Sequence, residues 1–202
     1  MTTRYKFPRF KAPLHIVAAN DNHRSDGIPP KGPRLVSELT DEKLANLEAN
    51  FVAAGVVASL HYTLKEISRE RLRRATMGFD SREVVSHILG LAATSADCFT
   101  TYGALHAGLW PGEKFVGHAS IGKVKKALAA AILYCVENGL PCITTLVVHA
   151  KTRSLSDRAG RNIYETLKGL GVEVGANVED YVLEQTLAAM DVVAQSTMAT
   201  AA

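Results

Sequence analysis

The sequence has few of the features that mark membrane, secreted or disulfide-rich proteins. None of its apolar runs approaches the about 20 residues that a membrane-spanning helix requires. The short apolar stretch from Leu14 to Ala19 is interrupted by His15, which argues against a signal peptide. The cysteines number only three, and an odd number argues against a disulfide framework. We therefore expect a soluble, globular protein of the reducing cytoplasm.

Motifs of common enzyme and metal sites are also missing. No two Cys or His residues have the Cys-x-x-Cys or His-x-x-x-His spacing of metal ligands. A Gly-Lys-Ser or Gly-Lys-Thr phosphate loop and a Glu-x-Lys nuclease pair are absent as well. The sequence therefore predicts no metal and no cofactor, and it favours a non-enzymatic function. A small enzyme that uses Cys142 or Tyr102 stays open as an alternative.

Positive charge is concentrated at the N-terminus. Residues 1–34 contain seven Lys or Arg against two Asp, a net charge of +5, and five of the seven prolines. This segment has no sustained apolar period, so it predicts a flexible basic arm that contacts nucleic acid or is a solvated tail. We expect a single globular domain over 35–197 and a frayed tail over 198–202.

The periodicity of the remaining chain predicts a mainly helical α+β domain. Helical spacing from Thr40 favours helix as far as about Ala75, although Val56–Thr63 is compatible with helix or strand. The other expected helices begin at Asp80, Thr101, Ser120, Ser156 and Asn177. The β-branched segment Cys142–His149 is the clearest strand. Its expected partner is Phe115–His118, Val172–Val174 or the same strand of a second subunit.

The order of elements over 81–155 is that of a winged helix-turn-helix: helix, short helix, turn, long helix and strand. The long helix has three lysines in its first two turns, and the loop after the strand is basic. Because Lys123 and Lys126 share one side of that helix, they are expected to face DNA, whereas Lys125 is expected to face solvent. The predicted DNA-binding residues are Tyr102, Lys114, His118, Ser120, Lys123, Lys126, Lys151 and Arg153.

Three short segments resemble one known family. They are Thr100–Leu105, Gly117–Ala131 and Leu140-Pro141-Cys142. Over about residues 99–143 they resemble the winged-helix domain of the alkylguanine-DNA alkyltransferase and alkyltransferase-like family. The resemblance implies that Tyr102 contacts DNA at an extruded nucleotide. The family's Pro-Cys-His-Arg-Val motif is absent, and its arginine that fills the space of the flipped base has no match, so the resemblance implies DNA docking without alkyl transfer.

These observations predict a non-enzymatic protein that binds double-stranded DNA, such as a regulator or a mobile-element factor. Binding to DNA half-sites, together with an amphipathic C-terminal helix, favours a homodimer. The alternative is a protein-interaction module, an inhibitor or adaptor, that binds an acidic protein surface. In that alternative the basic arm acts together with a cluster of arginines on one predicted helix. The cluster comprises Arg69, Arg71, Arg73 and Arg74.

Overall fold

The structure is a computed structural model that describes residues 35–200, and the side chains of all of these except 197, 199 and 200. The predicted arm lies outside the described residues. Within them the chain is mainly helical, with a small parallel sheet. The helices are α1 (Asp41–Ala54), α2 (Leu64–Ala75), α3 (Ser81–Ala93), α4 (Tyr102–Leu109), α5 (Gly117–Glu137), α6 (Asp157–Gly169) and α7 (Val178–Thr200). The strands are β1 (Thr100–Thr101) and β2 (Val147–Val148), and short 3-10 helices cover Val36–Glu38 and Ile143–Leu146.

Side-chain caps begin most of the helices where the sequence predicts them. An oxygen of each capping side chain accepts a hydrogen bond from a backbone N–H two or three residues ahead, which satisfies a donor that has no partner inside the helix. These capping residues are Thr40, Asp80, Thr101, Ser156 and Asn177. The long helix differs, because α5 begins at Gly117 and not at Ser120. At the other end of the domain, α7 continues to Thr200, beyond the expected boundary at 197.

The expectation of one helix from Thr40 to about Ala75 is wrong. Gly55 has a φ of +65°, the left-handed conformation that ends α1. At the start of α2, Thr63 and Glu66 form a reciprocal capping box, in which the Thr63 hydroxyl accepts from the Glu66 N–H at 3.2 Å and the Glu66 carboxylate accepts from the Thr63 N–H at 2.9 Å. The intervening residues form a turn with one antiparallel bridge, between Ala58 and Thr63.

The predicted strand Cys142–His149 is mostly not a strand. Its first part is a 3-10 helix, and only Val147 and Val148 pair with another strand. The partner is β1, which runs parallel, and none of the three expected partners. The 3-10 segment is buried against α3, α5 and α7. Its apolar, β-branched composition therefore reflects packing on all sides and not a pleated sheet.

The main hydrophobic core lies around α5. Helix α3 and the 3-10 segment before β2 pack against this helix and against each other, and α7 packs against both α3 and the 3-10 segment. The buried residues at its centre include Val84, Ile88, Val124, Leu128, Leu146 and Val193. Smaller clusters join α1 to α2 and α6 to the C-terminal half of α5. No helix in the described part of the chain is long and apolar enough to cross a membrane.

Candidate nucleic-acid interface

Helices α4 and α5 are joined by a turn, residues 110–116, that is held by a compact polar and aromatic cluster. The Lys123 ammonium donates to both carboxylate oxygens of Glu113, at 2.8 and 2.9 Å. The same ammonium lies 4.2 Å from the centre of the Trp110 ring, within the range of a cation–π interaction. Lys123 therefore fixes the turn against the first half of α5, and its charge is already partly neutralised.

His106 forms the buried side of this cluster. Its side chain is almost fully buried, and its ring centre lies 5.1 Å from that of Trp110 and 5.3 Å from that of Phe115. The Nε2 atom is 4.0 Å from the Glu113 carboxylate, and Nδ1 has no hydrogen-bond partner among the described residues. Burial among aromatic rings makes His106 a packing residue of the turn.

The exposed cations of α5 are Lys125 and Lys126. Both side chains are exposed, and neither forms an ion pair within residues 35–200. The buried face of the helix, centred on Val124 and Leu128, directs them away from the core. Lys123 turns towards Glu113, so the exposed lysines without an ion pair in this half of the helix are Lys125 and Lys126, and not the expected Lys123 and Lys126.

The other predicted residues near the start of α5 differ in exposure. Ser120 is buried, and its hydroxyl accepts a hydrogen bond from the Val116 N–H at 2.9 Å. It therefore supports the uncapped first turn of the helix and is not presented to a ligand. His118 and Lys114 are exposed, so they remain accessible next to the two lysines in sequence.

The basic loop after β2 is held by Arg153. The loop leads directly into α6, and no further strand follows β2 in the described residues, so the basic segment in the position of a wing is a loop, as expected. The Arg153 guanidinium pairs with Asp97 and donates to the Phe99 carbonyl at 3.0 Å. Arg153 has a φ of +51°, an unusual conformation for a residue other than glycine, and these bonds hold it there.

The Arg153–Asp97 pair distinguishes the two cations of this loop, Arg153 and Lys151. The hydrogen bonds from Arg153 hold the pKa of Asp97 well below its usual range, so the pair stays ionised in neutral solution. Arg153 is therefore a structural anchor, and its charge is compensated. Lys151, two residues earlier, is exposed and has no ion-pair partner among the described residues.

A cavity of about 450 Å³ opens between this loop and the start of α4. It lies beyond the carboxyl ends of the parallel strands and at the N-termini of α4 and α6. Tyr102 is half-buried at its wall, and this burial raises the pKa of its phenol. The residues that line the cavity are Tyr102, Val147, His149, Thr152, Ser154, Leu155, Ser156 and Asp157.

The polar groups of the cavity are not arranged as a nucleophile and its base. The Ser154 hydroxyl donates to the Thr152 hydroxyl at 3.0 Å, and the Ser156 hydroxyl caps α6. The His149 backbone N–H donates to the Ser154 carbonyl at 3.1 Å, but neither serine hydroxyl is bonded to the His149 ring among the described residues. Sequence reasoning selected Tyr102 from the Thr-Tyr-Gly segment, but it missed the other lining residues because β2 and β1 are brought together only by the fold.

Cys142 cannot act as an exposed nucleophile in this structure. Its side chain is buried, its sulfur lies 3.1 Å from the Thr144 hydroxyl, and burial raises the pKa of the thiol to about 11. The reactive form of a cysteine is the thiolate, which is scarce at neutral pH when the pKa is this high. The geometry therefore agrees with the missing histidine after Pro141-Cys142.

The arginines of α2 are each paired with carboxylates. Arg69 binds Glu137 of α5 at 2.5 Å, while Glu66, three residues before it, caps the helix. The other pairs are Arg71 with Glu48, Arg73 with Glu70 at 2.8 Å, and Arg74 with Glu70 and Asp41 at 2.7 Å each. The pairs with Glu70 lie within α2, and the others join it to α1 and α5, so the cluster has little uncompensated charge.

Comparison with known proteins gave no match to a family model, a curated protein or a solved structure. Within the described residues, no group of three His, Cys, Asp or Glu side chains is placed to hold a metal ion. The function is therefore inferred from the geometry and charge of the chain itself.

Proposed function

We propose that this protein is a non-enzymatic DNA-binding protein that places the first half of α5 against the phosphate backbone of a duplex. The observation that carries this proposal is the state of the cations. Lys125 and Lys126 are adjacent on α5, exposed and without an ion-pair partner in the described residues. Of the other cations that the sequence singled out, Lys123, Arg153 and the arginines of α2 are compensated by carboxylates.

Adjacent, uncompensated lysines repel each other, and a polyanion relieves that repulsion. Phosphate oxygens neutralise the ammonium groups and release condensed counterions, which supplies most of the free energy of non-specific DNA binding. The side of α5 that carries Lys125 and Lys126 also carries two small residues, the exposed Ala119 and the half-buried Gly122. A Cβ built at Gly122 would meet nothing within 4 Å, so the helix backbone is open to close approach by a nucleic-acid strand.

The order of α3, α4, α5 and β2 supports docking in the manner of a winged helix-turn-helix, with the basic loop in place of a hairpin wing. In this arrangement α5 is the recognition helix and Lys151 makes a flanking phosphate contact. Tyr102, which the resemblance to alkyltransferase-like proteins places at DNA, lies beside an open cavity. The cavity gives a contacted nucleotide space next to the phenol.

Two further parts of the proposed function come from the sequence alone. The basic segment 1–34 adds phosphate contacts, and a homodimer matches paired DNA half-sites. The alternative function, binding to an acidic protein surface, depended partly on the arginines of α2. Because these arginines are paired with carboxylates, they have little charge left to bind an acidic surface. The structure therefore supports that alternative less than the sequence pattern does.

The test is a fluorescence-polarisation titration of the full chain against a labelled duplex of about 20 base pairs at several salt concentrations. DNA binding through phosphates predicts that log K falls linearly with log[salt], with a slope of about −0.9 for each phosphate contact. Absence of duplex binding at low salt would contradict the proposal and favour the protein-interaction alternative. Analytical ultracentrifugation of the free and bound protein determines whether one or two chains bind.

A further inference from the structure

Helix α7 has an apolar stripe on the side that faces away from the core. Its inner side buries Tyr181, Ala189 and Val193, whereas Leu183 is 58% exposed and Leu187 is 55% exposed. Met198, farther along the helix, is 73% exposed. At 100° per residue, the three exposed side chains fall within about 60° of one another. They therefore lie along one side of the helix, with Leu183 and Leu187 on adjacent turns and Met198 about three turns farther along.

Carboxylates line one edge of this stripe. Asp180, Glu184 and Asp191 are exposed and occupy the next about 40° of the helix surface. With Glu179 they make four acidic residues, and positions 178–200 contain no Lys or Arg. None of the four carboxylates forms an ion pair within the described residues.

We propose that this face of α7 binds a basic amphipathic helix of another protein. Leucines at an i, i+4 spacing present the anchor positions that a partner helix contacts with its own apolar face. The acidic edge then selects a partner that carries Lys or Arg beside its apolar stripe, since opposite charges at the flank of a helix pair specify the partner.

A second copy of the chain is a poorer occupant. Two α7 helices packed antiparallel through this stripe would place both acidic edges on the same side of the interface. In a parallel pair, each acidic edge would face a flank of the other α7 that has no Lys or Arg. Like charges across an interface disfavour the wrong partner strongly. The charge of α7 thus distinguishes between partners, and it assigns the homodimer of the DNA-binding proposal to a different surface.

The test uses designed peptides as probes. A labelled, helix-forming peptide of about 20 residues carries Leu at i, i+3, i+4 and i+7 positions and Lys at the flanking positions. A matched peptide has Glu in place of every Lys, and a third has the residues of the first in scrambled order. Fluorescence polarisation with the full chain is expected to show binding of the basic amphipathic peptide and not of the other two.

Variants of the protein locate the binding surface. The triple variant Asp180→Asn, Glu184→Gln, Asp191→Asn removes the charged edge with little change of shape. We expect it to raise the Kd for the basic peptide by at least about tenfold, and we expect a comparable loss for Leu183→Ala with Leu187→Ala. The control Glu42→Gln, Glu165→Gln, Glu173→Gln removes the same charge at exposed positions elsewhere, and it should bind as the parent does.

Three outcomes would overturn the proposal. The first is equal binding of the basic and acidic peptides, and the second is a triple variant that keeps the parental Kd for the basic peptide. The third is a dimer of the parent protein, seen by ultracentrifugation, that dissociates in the double variant Leu183→Ala with Leu187→Ala. That result would make a second copy of the chain the occupant of this face. Duplex binding is measured on the same variants, and since Lys125 and Lys126 are unchanged, the DNA-binding proposal is tested separately.

Discussion

Cys135 and Cys142 show how burial determines which single side chains are available for chemistry. Both are buried, and burial raises the pKa of their thiols to about 12 and about 11, respectively. Cys98 is only half-buried. The sequence indicated that Cys142 lacks a neighbouring base, but the depth of its burial depends on α3, α5 and α7 closing over the 3-10 segment, which no local pattern reveals.

Thiol accessibility follows from this difference. With the native protein, we expect a disulfide reagent such as DTNB to modify Cys98 first, while Cys135 and Cys142 react only after unfolding in denaturant. The Cys98→Ser variant should therefore show almost no fast-reacting thiol. Rapid modification of native Cys98→Ser would mean that Cys135 or Cys142 is accessible. Its reaction with alkylated DNA, abolished by the further change Cys142→Ser, would restore alkyl transfer as a candidate.

At the scale of elements, α2 is the helix whose ionic contacts are best defined. Glu70 is buried between Arg73 and Arg74, and their hydrogen bonds hold the pKa of its carboxyl at about 2, against the counteracting effect of burial. Both arginines stand at the i,i+3 and i,i+4 positions from Glu70, the spacing at which side chains of one helix meet. The break between α1 and α2 was not predicted, although the capping box Thr63–Glu66 and the glycine at position 55 stand in the sequence.

The low pKa of Glu70 makes a pH-dependent contribution to stability. Since the folded value of about 2 lies below the unfolded value of 4.5, the contribution is present above the unfolded pKa and is lost as the pH falls towards the folded pKa. We expect Glu70→Gln to lower the free energy of unfolding by about 2–3 kcal/mol at pH 7. By pH 3 the difference between parent and variant should shrink by more than half.

Urea denaturation of the parent and of Glu70→Gln at pH 7 and pH 3 measures this difference. The control is Glu165→Gln, which removes an exposed carboxylate without an ion pair in the described residues. A deficit of Glu70→Gln that stays the same size at both pH values would show that the loss is one of packing and not of ionisation.

At the scale of the whole molecule, α5 and α7 carry exposed charges of opposite sign that have no ion-pair partners in the described residues. Lys125 and Lys126 give α5 an exposed cationic surface, and the carboxylates of α7 are without ion pairs. The mainly helical α+β class could be predicted from periodicity. Which cations remain free could not, because Lys123 and Arg153 find their partners through the turn at Glu113 and the loop at Asp97, and such contacts depend on tertiary structure.

The comparison of salt slopes between two double variants tests the DNA-binding proposal directly. Lys125→Ala with Lys126→Ala should weaken duplex binding and flatten the slope of log K against log[salt] by about two units. The helix should persist, because alanine favours helix and the buried face is unchanged. The control, Lys43→Ala with Lys168→Ala, removes the same charge from exposed positions on α1 and α6 and should keep the parental slope. A parental slope for Lys125→Ala with Lys126→Ala, or an equal loss in both double variants, would contradict the assignment of α5 as the DNA-contacting helix.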